Sequence, residues 1–496
     1  MRAGVALLLV ALSITEVKVA ARAAAAPVAA AESAMPAALG VAVPADRWFE
    51  NLKRTATPQQ LYTFLYALPK GGDLHNHLTG AARSEWMWEA ALAQEQNGYT
   101  YYTKVAIHNC VPYGSDEFGA NPYLLLFRNL AAVNYRKLDE CQRTEYKRLQ
   151  DLDAREKAGW LESLRLDQAY EGRNEFFNAH WQRMHDLYNN PYWISAMLAR
   201  NMEAFGKEGV IYLETENEIN GYQKPDGTAF SYDEVADLFR AQLASSAARA
   251  TGVEVRFNNS ILRFAPNAEE QLKFYFGIND QYRDLFVGIN MVGREDDGKG
   301  YPLRFLATLR ELRHHYPDIN LTFHAGEVDQ PNFHVRDTLL LGAKRIGHGV
   351  NLITDPDTMR LMRNGPCLVE INLISNLLLE YVKDYSQHPF PEYLRIGIPV
   401  ALSTDDRGMF DSNMTDEYFV AVHEFNLSWR EIVQLGRNSL VHAFVDEPTK
   451  QKLLATYDAR VAAFAAGFQK SGFASLKDVT PVSYSFMCKR YSVCFH

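Results

Sequence analysis

Four short segments of this 496-residue chain carry side chains that could bind a metal ion and move protons. They are far apart along the chain and read His75-Asn-His77, His324-Ala-Gly-Glu327, Gly-His348-Gly and Thr-Asp405-Asp406. Imidazole and carboxylate groups are ligands that zinc accepts in proteins. Taken singly, each segment is better explained by polar side chains at the end of a strand, since a lone His-x-His pattern is a weak signal for metal. Together they predict one site, provided that the fold brings them to the same place.

Eight short apolar runs alternate with longer segments of helical character. The runs are Asp73–His77, Val210–Glu214, Val253–Asn258, Phe286–Asn290, Asn320–His324, Arg345–His348, Cys367–Ile371 and Pro399–Ser403. This alternation predicts parallel strands with helical crossovers, and eight such units are the repeat of a (β/α)8 barrel of the TIM type. Active-site residues of such barrels project from the carboxyl ends of the strands. The ends of the first, fifth and eighth runs hold the four candidate ligands: His75, His77, His324 and Asp405. The predicted fold class is therefore an α/β barrel with one metal site at its mouth.

The step from the first run to the second exceeds the length of one strand-helix unit by roughly a hundred residues. We therefore expect an insertion subdomain at residues 95–185, after the first strand and its helix, with a charged helix over Tyr146–Gln168. The other predicted boundaries are a linker and N-terminal helical extension at 27–68, the barrel at 69–480 and a C-terminal tail at 481–496.

Composition and the N-terminus narrow the class of protein. Hydrophobic residues make up 47% and charged residues 22% of the chain, which excludes wholesale disorder. The formal net charge of -9, without long basic runs, argues against nucleic acid and favours a small-molecule partner. Residues 1–26 have the order of a cleaved signal peptide, and their apolar run is too short to span a membrane. We expect a secreted or periplasmic protein with no stable membrane anchor.

Export bears on the five cysteines, because an oxidising compartment lets disulfides persist. Cys488 and Cys494 could close a small loop, and Cys110 and Cys141 could staple the insertion. Cys367 would then be a free thiol, and its apolar surroundings predict that it is buried.

The motifs resemble those of a known family. In order and spacing, four of them are similar to motifs of the adenosine and AMP deaminase family of metal-dependent amidohydrolases: Lys70-Gly-Gly-Asp-Leu-His-Asn-His-Leu78, His-Ala-Gly-Glu327, Arg-Ile-Gly-His-Gly349 and Ser-Thr-Asp-Asp406. Val292–Gly298 and Ile374-Ser-Asn376 also look like segments of this family. The signal peptide and the cysteine-bearing insertion most resemble the secreted, growth-factor-type adenosine deaminases, whose members suggest a homodimer.

The resemblance implies zinc-dependent hydrolytic deamination of adenosine and 2′-deoxyadenosine, with one zinc ion per chain on the four ligands. It places Glu327, His348 and Asp406 around the reacting centre, and Gly293 matches a glycine whose backbone N–H meets the purine ring. Protonated Glu327 would donate to ring N1, and His348 would deprotonate or orient the attacking water. Asp406 would hold either that nucleophile or ring N7.

One position departs from the family pattern. Thr79 stands where the family commonly has an acidic residue associated with the 5′ end of the sugar. Adenine, AMP or a modified nucleoside therefore stay open as substrates. A non-catalytic extracellular nucleoside-binding or growth-factor-like protein is a further alternative, although the intact set of acid and base residues argues against it. Glu214 and Glu216, after the second run, are additional candidates for contact with a ribose.

Overall fold

The structure, a computed structural model, describes residues 46–110 and 127–495. Its strands, numbered along the chain, are β1 (Gly71–His77), β2 (Tyr101–Lys104), β3 (Asn129–Ala131), β4 (Tyr146–Arg148), β5 (Val210–Glu216), β6 (Glu254–Leu262), β7 (Phe286–Val292), β8 (Asn320–Ala325), β9 (Arg345–His348), β10 (Leu368–Ile371) and β11 (Val400–Leu402). One sheet joins β1 and β5 to β11 in chain order, with every neighbouring pair parallel. The other three strands form a small antiparallel sheet in the order β3-β2-β4.

The parallel strands are apolar runs that are buried on both faces. Leu213, Phe257, Ile346, Val369 and Leu402, one from each of five strands, are at most 1% exposed. Parallel strands that helices cover read as continuous apolar runs rather than as an alternation of apolar and polar residues. This is why each of the eight runs expected from the sequence overlaps one strand of the large sheet.

The large sheet curls until its two edge strands meet. Asn76 of β1 pairs with Asp405, just beyond β11, in a parallel bridge. The backbone N–H of Asp405 donates to the carbonyl of His75 at 2.9 Å. The buried carboxylate of Asp73 accepts hydrogen bonds from the backbone N–H and the hydroxyl of Thr404, at 3.1 and 2.7 Å. These contacts join the first strand to the last, and the predicted (β/α)8 barrel is confirmed.

Helices surround the barrel. In chain order they are α1 (Arg47–Thr55), α2 (Pro58–Ala67), α3 (Ser84–Ala93), α4 (Ala132–Tyr135), α5 (Glu140–Arg143), α6 (Ala154–Glu162), α7 (Arg173–Glu175), α8 (Trp181–Met184), α9 (Pro191–Lys207), α10 (Tyr232–Leu243), α11 (Ser246–Ala250), α12 (Ala268–Gln281), α13 (Leu306–His315), α14 (His334–Leu340), α15 (Pro356–Arg363), α16 (Leu373–Leu378), α17 (Phe390–Ile396), α18 (Met414–Phe425), α19 (Trp429–Val441), α20 (Glu447–Ser471) and α21 (Ser485–Tyr491). The sequence signals are plain at α2, where Thr57 and Gln60 form a capping box and Pro58 occupies the first turn. Among the described helices, we find none with the length and apolar character that crossing a membrane requires.

Between α3 and α9 the chain leaves the barrel and builds the small sheet together with α4 to α8. Trp160 of α6 is fully buried, and its indole N–H donates to Asn129 Oδ1 at 2.8 Å. Its ring lies 5.2 Å from the ring of Trp88 on α3, measured between centroids. The insertion is therefore packed on the first helix of the barrel through an aromatic contact.

The prediction of a helix over Tyr146–Gln168 is wrong at both ends, since the helix ends at Glu162. Tyr146–Arg148 pairs antiparallel with β2, and the helix begins only at Ala154, after the capping residue Asp153. Three residues carry too little pattern to identify a strand, and pairing with a neighbour outweighs their local preference.

Two pairs of cysteines are bonded, Cys110 with Cys141 and Cys488 with Cys494. Cys367 is free, as expected, but it is half-buried rather than buried. The predicted signal peptide and residues 27–45 of the predicted linker and helical extension lie outside the described residues.

Candidate metal and proton-transfer site

Three imidazoles and one carboxylate meet at the carboxyl ends of the barrel strands. The ligand atoms of His75, His324, His348 and Asp405 all lie within 4.8 Å of one another, and the four residues are buried. Asp405 Oδ1 also lies 3.3 Å from Nε2 of His77 and 3.5 Å from Nε2 of His75. The structure thus brings the four expected ligands together and places His348 beside them.

The cluster has the character of a cation site. Nε2 of His75 is buried and has no hydrogen-bond partner among the described residues. Buried polar atoms without partners are rare in proteins and call for an explanation. Burial disfavours the charged form of His75, but contacts with Asp405 and Glu370 outweigh it and raise the pKa to about 10. A cation at Nε2 would take the place of that proton.

On the side away from the cluster, each expected imidazole ligand faces an oxygen atom. The distances from Nδ1 are 2.8 Å from His75 to Glu370 Oε2, 3.2 Å from His77 to Glu216 Oε2, and 3.1 Å from His324 to Asn290 Oδ1. An oxygen at this position holds the imidazole proton on Nδ1 and leaves the lone pair of Nε2 for a metal. The arrangement suits three metal ligands.

Asn290 connects two of these outer contacts. Its amide N–H donates to Glu216 Oε1, and its Oδ1 faces His324. Glu216 Oε2, which faces His77, has no other hydrogen-bond partner among the described residues. Asn290 and Glu370 were not found from the sequence, although each is a polar residue in the middle of a buried apolar strand, and that is the signal that could have identified them.

The expectation that Glu214 contacts a ribose is wrong. Its carboxylate lies 2.7 Å from Arg345 Nη2 and accepts a hydrogen bond from the hydroxyl of Tyr212 at 2.7 Å. Arg345 also lies 2.6 Å from Glu370, so one buried guanidinium joins the two carboxylates inside the barrel. Glu216 lies behind His77, as described above, and its contact with a ribose stays a prediction.

The backbone at the site is held in uncommon conformations. Asp405 has φ 53° and His348 has φ 64°, in the left-handed region that non-glycine residues rarely adopt. Such conformations persist where surrounding contacts enforce them, and they concentrate at functional sites. Gly80 is required for a different reason, because a Cβ there would lie 1.6 Å from Asp406 Oδ1.

Glu327 is buried 3.7 Å from His348, measured from Oε1 to Nε2. Burial raises the pKa of its carboxyl to about 8, and the charge of Asp405 acts in the same direction. The turn that carries it is fixed by Glu295, which accepts the backbone N–H groups of Gly326 and Glu327 at 3.1 and 2.8 Å. The geometry therefore provides a carboxylic acid that keeps its proton at neutral pH.

Asp405 and Asp406 are adjacent and differ in charge state. Burial opposes ionisation of Asp405, but contacts with His75 and His77 outweigh it and hold the pKa well below its usual range. Burial raises the pKa of Asp406 well above its usual range, despite the opposing charge of His77. Asp406 Oδ1 has no hydrogen-bond partner among the described residues. It is available to a ligand, whereas Asp405 belongs to the cluster.

Gly293 follows β7 at the same mouth. Its φ is 91°, and a Cβ there would lie 2.7 Å from the ring of Phe264, so the position requires glycine. The ring of Trp181, from the insertion, lies 5.7 Å from the ring of His77. Thr79 lies near the side chain of Tyr188, whose hydroxyl donates to the carbonyl of Trp181 at 3.1 Å.

The insertion also reaches the loops around the mouth. Arg173 Nη1 lies 3.4 Å from Asp296, and Arg173 Nε donates to the carbonyl of Leu379 at 3.1 Å. Arg294 lies 2.7 Å from the same aspartate. One carboxylate thus engages both arginines that approach the site from this side.

Comparison with known proteins agrees with this description. Residues 168–460 match the family described as adenosine deaminase, which is more than half of the chain. The chain therefore belongs to the adenosine deaminase family of metal-dependent amidohydrolases, and the resemblance seen in the motifs is confirmed.

Individual relatives differ in how much they share. The chain is 31% identical to adenosine deaminase 2 of Dictyostelium discoideum over 219 residues, which are 43% of this chain and 39% of that protein. It is 30% identical to adenosine deaminase of Plasmodium gallinaceum over 294 residues, 57% of this chain and 76% of that protein. The crystal structure of Arabidopsis ADAL complexed with IMP matches with a TM-score of 0.55 at 22% identity, over 81% of this chain and 99% of that one. The last similarity concerns the fold alone.

Proposed function

We propose that this deaminase is a zinc-dependent enzyme that hydrolyses adenosine and 2′-deoxyadenosine to inosine products and ammonia. One observation carries the proposal: the buried carboxyl of Glu327, whose pKa burial raises to about 8, lies at the barrel mouth beside a cluster of three imidazoles and Asp405. A carboxylic acid next to a metal site is what addition of water to an adenine ring requires, because the ring must be protonated as it is attacked.

The donor set fits zinc, which accepts imidazole nitrogen and carboxylate oxygen in tetrahedral sites. His75, His77, His324 and Asp405 would hold the ion. Bound zinc supplies a Lewis acid that lowers the pKa of water to about 7, so that a nucleophile is available at neutral pH. The family is metal-dependent, and the choice of zinc rests on this ligand chemistry.

The remaining steps belong to side chains and backbone of this chain. Glu327 would donate its proton to ring N1, which disrupts the aromaticity that resists attack at C6. Gly293 would offer its backbone N–H to the purine, and Asp406 would accept a hydrogen bond from the nucleophile or, in its protonated form, donate one to ring N7. Water adds at C6, and of its two protons one passes to the departing amino nitrogen and the other restores Glu327. The bond from C6 to that nitrogen breaks, and ammonia leaves.

The charges near His77 favour a neutral nucleoside over a nucleotide. Carboxylate oxygens of Glu216 and Asp405 lie 3.2 and 3.3 Å from the two nitrogens of its ring. A phosphate brought to this side would meet negative charge, and the nearby arginines at the mouth are already engaged with Asp296. Thr79 leaves the recognition of the 5′-hydroxyl unassigned.

Export and a homodimer remain predictions from the sequence. The two disulfides accord with an oxidising compartment. Their presence gives no information on the number of chains in the assembly.

A substrate panel scored by ammonia release tests the proposal, with adenosine, 2′-deoxyadenosine, adenine and AMP compared at equal concentration. We expect release from the two nucleosides, loss of the activity on treatment with a zinc chelator, and recovery on adding zinc. Glu327→Gln should lose about 10²–10⁴-fold in kcat while it keeps its zinc. Release from adenine or AMP alone would replace the proposed substrate, and binding of nucleosides without ammonia would point to the non-catalytic alternative.

A further inference from the structure

A series of three hydrogen bonds links the backbone N–H of Phe390 to His348 through His388 and Asn376. In each of them, the chemistry of the groups decides which one is the donor. The series starts at Phe390, whose backbone N–H donates to His388 Nδ1 at 3.1 Å. A backbone N–H can only donate, so Nδ1 of His388 accepts and the ring carries its proton on Nε2. That Nε2 lies 3.0 Å from Asn376 Oδ1. His388 is therefore the donor in this contact.

The orientation of Asn376 follows from its contact with His388. Because Oδ1 accepts from His388, the amide NH₂ group points the other way, where Nδ2 lies 3.0 Å from His348 Nδ1. An amide N–H is a donor, so Nδ1 of His348 accepts and the proton of this ring lies on Nε2. Asn372 Nδ2, 3.3 Å from the same nitrogen, supplies a second donor.

The surroundings keep these groups in one state. His348, Asn376 and His388 are at most 3% exposed, so water does not compete for their hydrogen bonds. Burial lowers the pKa of His388 to about 3, so this ring is neutral at pH 7. Nδ1 of each ring accepts a hydrogen bond, so neither of these nitrogens carries a proton.

We propose that Asn376 and His388 are positioning residues that fix His348 as a hydrogen-bond donor toward the substrate. Its Nε2 faces the site, 3.7 Å from Glu327 Oε1 and 3.9 Å from Asp405 Oδ2. The chemical meaning rests on the proposed function: of the two roles open to His348, the removal of a proton from water is excluded. The ring instead orients the attacking water and stabilises the negative charge that develops on its oxygen.

The decisive measurement is the tautomer of His348 in the zinc-loaded protein. Nitrogen-15 NMR of histidine-labelled protein distinguishes protonated from unprotonated ring nitrogens, and the His348 signals are those lost in His348→Gln. We expect protonated Nε2 in the native chain. In Asn376→Asp the new carboxylate accepts from both rings, so the proton of His348 should move to Nδ1, and kcat should fall by about 10²–10⁴-fold with a smaller change in KM.

A matched control is Asn279→Asp. Asn279 is also buried, and its amide donates to the carbonyl of Gly288 at 2.9 Å, on the strand β7. This variant carries the same cost of burying a carboxylate, and it should leave the His348 signals unchanged. A shift of the same size in both variants would overturn the proposal.

A second pair of variants keeps the test valid if Asn376→Asp does not fold. His388→Gln retains an N–H donor for Asn376 Oδ1 and should preserve the His348 tautomer, whereas His388→Leu removes the donor and should give mixed tautomers. Protonation of Nδ1 in the native chain, or an unchanged tautomer in both Asn376→Asp and His388→Leu, would overturn the inference. The spectrum requires no turnover, so an inactive protein with the expected tautomer would refute the proposed function and support this inference.

Discussion

Two kinds of histidine meet at the mouth of the barrel, and the groups behind the rings differ. Behind His75, His77 and His324 lie oxygen atoms, which hold the ring proton on Nδ1 and turn a lone pair toward the cluster. Behind His348 lie amide N–H groups, which hold the proton on Nε2. The rings of His324 and His348 are only 5.1 Å apart, between centroids.

The difference shows that proximity to the cluster does not decide the role of an imidazole. By distance alone His348 belongs with the ligands, since its nitrogen lies within 4.8 Å of theirs. The amides of Asn372 and Asn376 at its Nδ1 instead make Nε2 a hydrogen-bond donor toward the substrate. A neutral histidine is a donor on one nitrogen and an acceptor on the other. The group that contacts Nδ1 therefore decides whether Nε2 binds a metal or donates a hydrogen bond.

The largest effect, on zinc content and turnover, should come from replacing one histidine of each kind by alanine. His324→Ala removes a ligand, and we expect loss of bound zinc on dialysis together with loss of turnover. His348→Ala should retain zinc at the native stoichiometry and lose about 10²–10⁴-fold in kcat. Elemental analysis and ammonia release measure the two quantities separately. Equal loss of zinc from both variants would make His348 a ligand and remove the distinction.

An intermediate effect, on zinc affinity, should come from substitution of Asn290, whose amide connects Glu216 behind His77 with His324. Asn290→Asp removes the N–H that Glu216 accepts and places two carboxylates side by side, so zinc affinity should fall by about 10–100-fold. The measurement is competition between the protein and a chelator of known affinity.

The exchanged pair provides the control for that variant. In Glu216→Gln with Asn290→Asp, one amide again donates to one carboxylate, and each imidazole still faces an oxygen. We therefore expect the double variant to recover most of the affinity that Asn290→Asp loses. If the double variant instead lost as much zinc affinity as the two single variants together, Asn290 and Glu216 would act independently and the connection between them would be contradicted.

The smallest effect is the dependence of turnover on pH. Glu327 acts in its protonated form, and its pKa is raised to about 8 by burial. Turnover should therefore hold below this pH and fall as pH rises through it, by about tenfold for each unit above. No loss should follow from His348 on mild acidification, because its pKa of about 3 leaves it neutral. A decline between pH 7 and 6 at constant zinc content would favour a base at this position.

The sequence was sufficient for the barrel and for the residues at its rim, for physical reasons. Parallel strands buried on both faces give continuous apolar runs, and the ends of such runs carry the chemistry. The strands β2 to β4 were missed because three or four residues show no period that could be recognised.

The outer partners could not be predicted in the same way. Glu370 meets His75 from 295 positions along the chain, and His388 reaches Asn376 from outside any barrel strand. Which nitrogen of an imidazole bears the proton depends on such long-range contacts, and no local pattern encodes them. Polar residues within buried strands, such as Glu370 and Asn290, mark where to search.

The seam of the barrel has a further consequence for folding. The first and last strands meet through Asn76 and Asp405, and Thr404 is tied to Asp73 across 331 positions of the chain. Contacts of such long range carry a large loop-closure cost and tend to form late. The proposed ligands His75 and His77 lie on β1, and Asp405 follows β11, so they are on opposite sides of this seam. A chain whose barrel has not closed therefore lacks the complete metal site. Capacity to take up metal is therefore a measure of completed folding.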